Sequence, residues 1–561
     1  MGFLGDRPVA TAMAVLFAVW FFRFSIKFTR HRRKYGKLPG PPHSFFFGHL
    51  IVMGELTKRI PNKVHPHVHA YHLRKMYNLP RIFYLDIYPI AGAICMVLDT
   101  EAAQDISTVT VLEKHEALVT ALEPLAGAAN LVTTDGPFWK RWRSIFNPGF
   151  SVQHLMGQVP YIVDLTKKYT DILDKHAATG LPFRLEEEAT KIAVDVIGNV
   201  VADHDFDTLT TNNEFVDNMR KQLEWTVDKQ SLNPFHHYHP LRPFMVKYYN
   251  RKMSGYVGKV LDERFAARDI GPAKSTRKRI GIDLALEAYL KETGKDVDTR
   301  AATMNAEFRR IAIDNILMLL FAGHDTTAST LCYAYYLLSR HPDKLAKVRQ
   351  ELDSVFGVGV DSAEALKRDP YVLNKCEYTL AIIKETLRLW PPASTVRKGR
   401  DDYFLKDTET GQLLPTNENV LVWVVAMSMQ RDPEHFGPTA DSFIPERFLP
   451  YPDPDLDPSI YNFNPHAWRP FEKGPRNCIG QELVLIELKV ILALTLREFD
   501  FKPAYDECGG DVLANDGSLW AKEANFKDGP VQECFGDEAY QVLLAAGKPR
   551  DGLPVRVSRR L

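Results

Sequence analysis

The stretch from Ala306 to Arg340, "AEFRRIAIDNILMLLFAGHDTTASTLCYAYYLLSR", keeps helical periodicity over roughly 35 residues. Apolar "ILMLLF" and "LCYAYYLL" on either side of its middle require burial on most faces, so a body must be built around this rod. At the middle stands "AGHDTT", Ala322 to Thr327. Gly323, Asp325, Thr326 and Thr327 cost helix propensity and bring polarity into an apolar setting. Thr326 can bond back to the carbonyl four residues earlier, loosening the turn and opening a groove. An acid beside an alcohol in an apolar groove is a proton-delivery arrangement. A Thr/Asp pair at a helix-packing point explains the same letters equally well, so other motifs must decide.

Much of the rest is also helical in period: 214–230, 373–390 and 481–499. Strand signals are fewer, in "IFYLDI" (82–87), "AICMVLD" (93–99), "ENVLVWVVAM" (418–427) and "LPVRVSRR" (553–560). The expected body is mainly α with a small β portion. Residues 267–281 read as an exposed connector, and "ECGGDVLANDGS" as loop. Length alone, 561 residues, would suggest three or four domains. Lys+Arg and Asp+Glu are both 70, which excludes a global basic field for nucleic acid. Six scattered cysteines without CxxC spacing argue against a disulfide framework or a Cys₄ zinc site.

One cysteine is displayed differently. "FEKGPRNCIG" (471–480) sets Cys478 just ahead of the helical run "QELVLIELKVILAL". Free N–H groups and the positive dipole end favour an anion there, so the thiol is expected to titrate low. Gly474 and Gly480 allow close backbone approach and unusual φ/ψ, and Arg476 offers a fork-shaped cation to a carboxylate. Together these suit a thiolate-ligated porphyrin; a capped helix with an incidental cysteine is the blander alternative. A third motif, "ETLR", puts Glu385 and Arg388 on one helix face among apolar neighbours. A buried pair needs further partners, and Arg447 of "FIPERF" is the candidate third member.

At the N-terminus, Val9 to Phe22 is unbroken apolar sequence, short for a span of about 20 residues. Arg23 and Lys27 can lengthen it by snorkelling. The basic run "KFTRHRRKYGK" follows the apolar segment, which fits a membrane anchor with the body on the cytoplasmic side rather than a cleaved signal. "LPGPP" (38–42) excludes helix and central strand and reads as a stiff hinge.

These motifs together resemble the cytochrome P-450 superfamily of haem-thiolate monooxygenases, and the resemblance runs from about Pro39 to the C-terminus. "FEKGPRNCIG" fills F-x-x-G-x-R-x-C-x-G, "AGHDTT" matches A/G-G-x-D/E-T-T, and "ETLR" matches E-x-x-R. "FIPERF" supplies P-E-R-F, and Trp139 and Arg143 of "FWKRWR" supply W-x-x-x-R. The resemblance implies the P-450 fold, mainly α with a long central helix over haem, behind an N-terminal transmembrane helix. It implies an anchor at 1–30, a basic and proline-rich hinge at 31–45 and a single catalytic domain at 46–561. Cys478 would be the axial ligand of haem b iron, with Phe471 near its sulfur and Gly474 and Gly480 shaping the loop. Arg476, Trp139, Arg143 and Arg397 would bind propionates. Asp325 and Thr326 would deliver protons, and Glu385, Arg388 and Arg447 would hold the proximal side together.

Gln430 stands where many members have His before "RDP", a departure outside these motifs. No flavin or nicotinamide domain is expected after the last long helix. Electrons would therefore come from NADPH through a separate cytochrome P-450 reductase, with cytochrome b5 as a further donor. Lys140, Arg141 and Lys473 are candidates for the docking patch. The implied setting is the endoplasmic reticulum membrane, single-pass, with the catalytic domain on the cytoplasmic side. The histidine tracts 65–72 and 236–239 read as solvated loops rather than metal sites, and Gly2 does not suggest myristoylation, because Asp6 sits where Ser or Thr is wanted. By analogy substrate access would involve 105–130 and 205–250, including Trp225, Phe235 and Tyr238. A hydrophobic substrate fits, and the chain looks similar to fungal members that tailor secondary metabolites. A desaturase, ring-coupling enzyme or isomerase on the same scaffold, and a non-catalytic haem sensor or carrier, are the alternatives.

Overall fold

Pro8 opens the first helix, α1 (Pro8–Tyr35), where a missing N–H costs nothing, and Arg32, Arg33 and Lys34 close it against the negative end of the dipole. A computed structural model describes residues 8–61, 63–226, 239–266, 281–293, 304–417, 420–508, 511–514, 516, 518, 520 and 531–560. The short apolar segment is thus part of a 28-residue rod, about 42 Å long against a hydrocarbon core of about 30 Å. Thr11–Tyr35 is long and apolar enough to cross a membrane, and Leu16, Phe17, Trp20, Phe21 and Phe22 are exposed.

Residues 31–45, expected as a hinge, are fastened to the body. The first strand, β1 (Ile82–Asp86), ends in a carboxylate that receives Arg32 Nη1 at 2.6 Å, His43 Nε2 at 2.9 Å and His31 Nε2 at 3.0 Å. The Arg32 and Asp86 side chains are wholly buried. Burial opposes ionisation of Asp86, but hydrogen bonds from His31, His43 and Arg32 outweigh it and hold the carboxyl well below its usual range. Tyr84 N–H donates to Pro39 O at 2.8 Å, so the proline segment forms neither helix nor strand yet lies against β1.

β1 pairs antiparallel with β2 (Ala93–Val97), Tyr84 opposite Cys95. Two later strands, β3 (Thr395–Lys398) and β4 (Leu421–Val424), complete the sheet. β2 runs parallel to β4 and β4 antiparallel to β3, giving the order β1-β2-β4-β3. Between the two strand pairs lie the helices that build the body. They include α2 (Glu116–Ala126), α3 (Gly136–Phe146), α4 (Leu185–Ala202), α5 (Glu214–Thr226), α6 (Arg242–Ala266), α7 (Ala306–Arg340) and α8 (Glu377–Leu389).

α7 has the bounds its periodicity predicts. Asn305 caps it, accepting from Glu307 N at 2.7 Å. Its main partner is α4, and a Cβ on Gly323 would come within 2.6 Å of Ile197, so glycine is what lets the two helices touch. The run 373–390 is broken by Cys376 (φ −86°, ψ 67°): a 3₁₀ turn, Pro370–Lys375, precedes α8. The run 481–499 also ends early. α9 (Gln481–Thr495) stops before Phe499 starts β5 (Phe499–Pro503), where alternating "FDF" suits a strand. The C-terminal part forms a hairpin, β6 (Gln541–Leu544) and β7 (Ala546–Pro549), and then β8 (Pro554–Arg559), antiparallel to β5. Part of "ECGGDVLANDGS" is helical, in a 3₁₀ turn (Tyr505–Glu507) and a short helix (Asp511–Ala514).

The first histidine tract is no solvated loop. His67 starts a helix, His67–Tyr77, and His65 and His67 are buried with rings 3.7 Å apart. His67 Nε2 meets Gln541 Oε1 at 2.7 Å, and burial pushes its pKa down to about 3. Among the described residues no group of three or more His, Cys, Asp or Glu side chains is placed to hold a metal ion. The second tract falls almost entirely outside the described residues, as do the 267–280 connector, Phe235 and Tyr238.

Candidate functional site

The cysteine loop is fixed by its own backbone and by two neighbours. Cys478 N–H donates to Phe471 O at 2.8 Å, and Phe471 is buried, with Trp468 edge-on at 6.0 Å. Arg143 of α3 donates through Nη1 to Asn477 O at 2.8 Å and through Nη2 to Asn477 Oδ1 at 3.0 Å. Gly474 has φ +75°, and a Cβ there would lie 2.4 Å from Ser107 O; its glycine serves contact with residues 105–109 of the chain itself. Gly480 is the N-cap of α9 at φ −85°, so the expectation of unusual backbone geometry holds for Gly474 and fails for Gly480.

Cys478 is exposed although protein surrounds it closely. The low-titrating thiol expected at a helix start is not found. Burial pushes the Cys478 thiol up, and the Gly480 N–H and the Arg143 charge only partly oppose it.

Beside the loop the chain crowds cations. Arg476 pairs with Asp135 at 2.7 Å, donates to Thr134 O at 2.8 Å and lies 4.4 Å above the Trp139 ring. Burial pushes its pKa down to about 10. Arg397 on β3 is fully buried and spends Nη1 on Leu112 O at 3.2 Å, while its Nε and Nη2 have no hydrogen-bond partner. Lys114, which no motif singles out, pairs across a β-bridge with Arg397 and donates to Thr395 Oγ1 at 3.3 Å. Burial, with Arg397 and Arg476 nearby, pushes its ammonium well below the lysine range. Lys114, Arg397 and Arg476 thus share a region where Asp135 and Glu472 are the opposing charges. Buried guanidinium N–H groups without acceptors are costly, and a dicarboxylate would satisfy them. The residues fit a porphyrin bearing propionates: Arg397, Lys114 and Arg476 would hold the carboxylates and Cys478 would be the soft donor to its metal. Arg143 is committed to bracing Asn477.

The ETLR motif is a buried network. Arg388 grips Glu385 with two bonds of 2.7 Å, both side chains wholly buried, and donates to the carbonyls of Gln430, Ala440 and Ser442. Ile444 N–H donates to Glu385 Oε1 at 2.8 Å, and Arg447 Nε lies 3.5 Å from it, the third member inferred from sequence. Gln430 fills its unusual position by bonding. Its amide donates to Leu387 O and Arg388 O and accepts from Arg469 N at 2.7 Å, joining the end of α8 to the chain leading into the cysteine loop.

In α7, Thr326 Oγ1 donates to Ala322 O at 2.9 Å, as the sequence predicts. Ala322 is exposed and Gly323 and Thr326 are partly so, within a helix buried from Ile311 to Phe321 and from Thr327 to Leu338. Asp325 does not stand beside Thr326 as the proposed relay requires. Neighbours along a helix point about 100° apart, and the Asp325 carboxylate turns to the C-terminal hairpin. Its Oδ2 accepts from Ala546 N at 2.8 Å and its Oδ1 pairs with Lys548 Nζ at 2.6 Å. Lys548, some 220 residues away in sequence, carries no motif signal.

The two expected access regions meet. Gln222 of α5 and Asn250 of α6 both donate to Pro124 O within α2, the latter at 3.0 Å. Asp314 and Asn315 of α7 bind Ala129 N and Leu131 N. Trp225 packs edge-on against His239 at 5.4 Å. Lys140 and Arg141 are exposed, and Lys473 is half-buried and donates to Pro465 O at 3.1 Å.

The family model described as cytochrome P450 matches residues 38–526. The chain is 35% identical over 533 residues to cytochrome P450 monooxygenase polC of Polytolypa hystricis, covering 95% of this chain and 91% of that protein. It is 34% identical over 521 residues to cytochrome P450 monooxygenase acrF of Aspergillus aculeatus, covering 90% and 99%. A solved cytochrome P450, CYP102L1, shares the fold with a TM-score of 0.66 at 20% identity, over 89% of this chain and 95% of that one. The cysteine loop, the buried Glu–Arg network, the long central helix and these matches together make the chain a member of the cytochrome P450 family, oxygen-incorporating oxidoreductases.

Proposed function

We propose that this protein is a membrane-anchored haem-thiolate monooxygenase that inserts one atom of O₂ into a hydrophobic small molecule, as a tailoring step in fungal secondary metabolism. The observation that carries the reading is Cys478, exposed and held by the Phe471 carbonyl and the Arg143–Asn477 brace, beside buried Arg397 N–H groups that have no acceptor. Haem, when bound, supplies the oxygen chemistry, which its thiolate ligand promotes. Cys478 Sγ would serve as that ligand as a thiolate, its proton lost, with the cofactor's positive charge favouring the anion. Arg397, Lys114 and Arg476 would neutralise the propionates and hold the ring.

Thr326 Oγ1, donating to Ala322 O, keeps lone pairs free to accept a hydrogen bond on the open side of α7. The apolar side chains on either side of that turn favour an apolar substrate. The fungal relatives support the secondary-metabolite setting, and α1 supports an endoplasmic reticulum anchor with the body on the cytoplasmic side. Electrons would come from NADPH through a separate reductase, with Lys140, Arg141 and Lys473 as candidate contacts. The test is the reduced, carbon-monoxide-bound absorption spectrum of the full chain beside Cys478→Ala. A red-shifted Soret band that vanishes in the variant is expected. A His-type haem spectrum would favour a sensor or carrier, and folded protein that takes up no haem would overturn the reading.

A further inference from the structure

The Asp325 carboxylate is one corner of a buried charge triad. Lys548 Nζ lies 2.6 Å from Asp325 Oδ1 and 2.5 Å from Glu186 Oε1. All three residues are at least 96% buried. Glu186, in the first turn of α4, also accepts from Thr190 Oγ1 at 2.8 Å on that same Oε1 and from Trp520 Nε1 at 2.9 Å on Oε2. β7, which carries Lys548, is sewn to α7 by Ala546 N–H to Asp325 and by Ser329 Oγ–H to Gly547 O at 2.6 Å. His324 Nε2 lies 4.0 Å from Asp325 and its Nδ1 bonds Leu320 O; Glu187 and Cys332 complete the ionisable surroundings.

Two carboxylates share one ammonium in a dry setting. A single Asp–Lys pair would lock Asp325, since leaving it would strand a buried cation at a cost of several kcal/mol. Glu186 changes that balance: when Asp325 takes a proton and turns away, Lys548 keeps a full ionic partner. Nothing comparable releases Glu186, which two further donors hold in place.

We infer that Lys548 and Glu186 are positioning residues for Asp325, with Lys548 a pivot whose grip Glu186 relaxes so that a protonated Asp325 can turn from β7 toward Thr326. A proton from water binds an Asp325 oxygen, the Lys548–Asp325 ion pair breaks, and the Lys548–Glu186 pair remains. The neutral acid then passes its proton toward the Thr326 side and returns to Lys548 as carboxylate. No electron moves within the triad. The inference rests on the monooxygenase reading and adds how its acid is released.

The experiment uses full-length, haem-loaded protein driven by NADPH and a cytochrome P450 reductase, with dioxygen as the probe and no added organic substrate. Reductant oxidation and peroxide release are measured in H₂O and D₂O. Positioned proton transfer contributes about 10²–10⁴-fold, so Glu186→Gln, which leaves Lys548 clamped on Asp325, should lower the oxidation rate about tenfold and raise the solvent isotope effect about twofold. Its haem spectrum should be unchanged. Lys548→Arg should keep the wild-type isotope effect, because the charge and both partners remain. A second reading needs no turnover: in thermal unfolding, a cycle of Lys548→Met and Asp325→Asn should be non-additive. A Glu186→Gln rate and isotope effect equal to wild type, or additive melting shifts, would overturn the inference. Loss of the thiolate spectrum in wild-type protein would overturn the underlying reading instead.

Discussion

Replacing Glu385 by Gln removes one charge from the most heavily bonded part of the proximal side. Both Glu385 oxygens receive Arg388 at 2.7 Å, Ile444 N–H adds a bond of 2.8 Å and Arg447 stands at 3.5 Å, with no solvent on any of the three charged side chains. At an effective dielectric of about 20 a unit-charge pair at 4 Å is worth about 4 kcal/mol, and breaking a buried pair costs about 3–5 kcal/mol. Gln keeps an acceptor for Ile444 but turns an NH₂ toward a guanidinium, so the loss should reach about 3–5 kcal/mol. That is a large share of a total stability of about 5–15 kcal/mol. Denaturant unfolding of the haem-loaded chain, followed by far-UV circular dichroism, measures it. The double variant Glu385→Leu/Arg388→Met should not recover the loss, because Arg388 also satisfies the carbonyls of Gln430, Ala440 and Ser442. A loss below about 1 kcal/mol, the value of an exposed pair, would refute the reasoning from burial.

Two further outcomes follow from the geometry. Gly474→Ala places a Cβ 2.4 Å from Ser107 O at φ +75°, so the cysteine loop must shift. Haem per polypeptide should fall with the circular dichroism spectrum retained, and full haem content would contradict this. Asp86→Asn strands the buried Arg32 charge and should let trypsin cut at Lys34 or Lys37 about a hundredfold faster or more, in line with the cost of about 3–5 kcal/mol for breaking a buried pair. Because the folded Asp86 pKa is depressed, its contribution is fully present above about pH 4 and is lost as pH falls through the folded value. The Asn variant should show no such acid step in thermal unfolding.

What could be read from the letters was local. The bounds of α7, the Thr326 back-bond and the Arg388–Glu385 pair depend on residues at most four apart. The cysteine loop was legible because its chemistry is concentrated in ten positions. Lys114, Lys548, Glu186 and Asp86 were not, since each acquires its role from a partner far along the chain, and an isolated Lys or Glu carries no periodic mark. The breaks at Cys376 and after Thr495 escaped for another reason: both lie inside apolar runs whose periodicity continues across a change of backbone that packing imposes. The Asp325 orientation toward Lys548 was not legible in the Asp325–Thr326 motif because adjacency in sequence is not adjacency on a helix face.

The Arg32–Asp86 clamp changes what α1 is mechanically. A tether lets its load wander, whereas this rod is braced at its foot, so its inclination is handed to the body undiminished. Where it spans a bilayer, its apolar stretch from Val9 to Phe28 is about 30 Å long, close to the hydrocarbon thickness, with the basic last turns left outside, so a thinner bilayer makes the rod lean. Bilayer thickness then acts as a steering variable. A thicker membrane stands the rod upright, a thinner one tips it, and the whole catalytic body swings with it, changing which of its faces lies near the lipid surface.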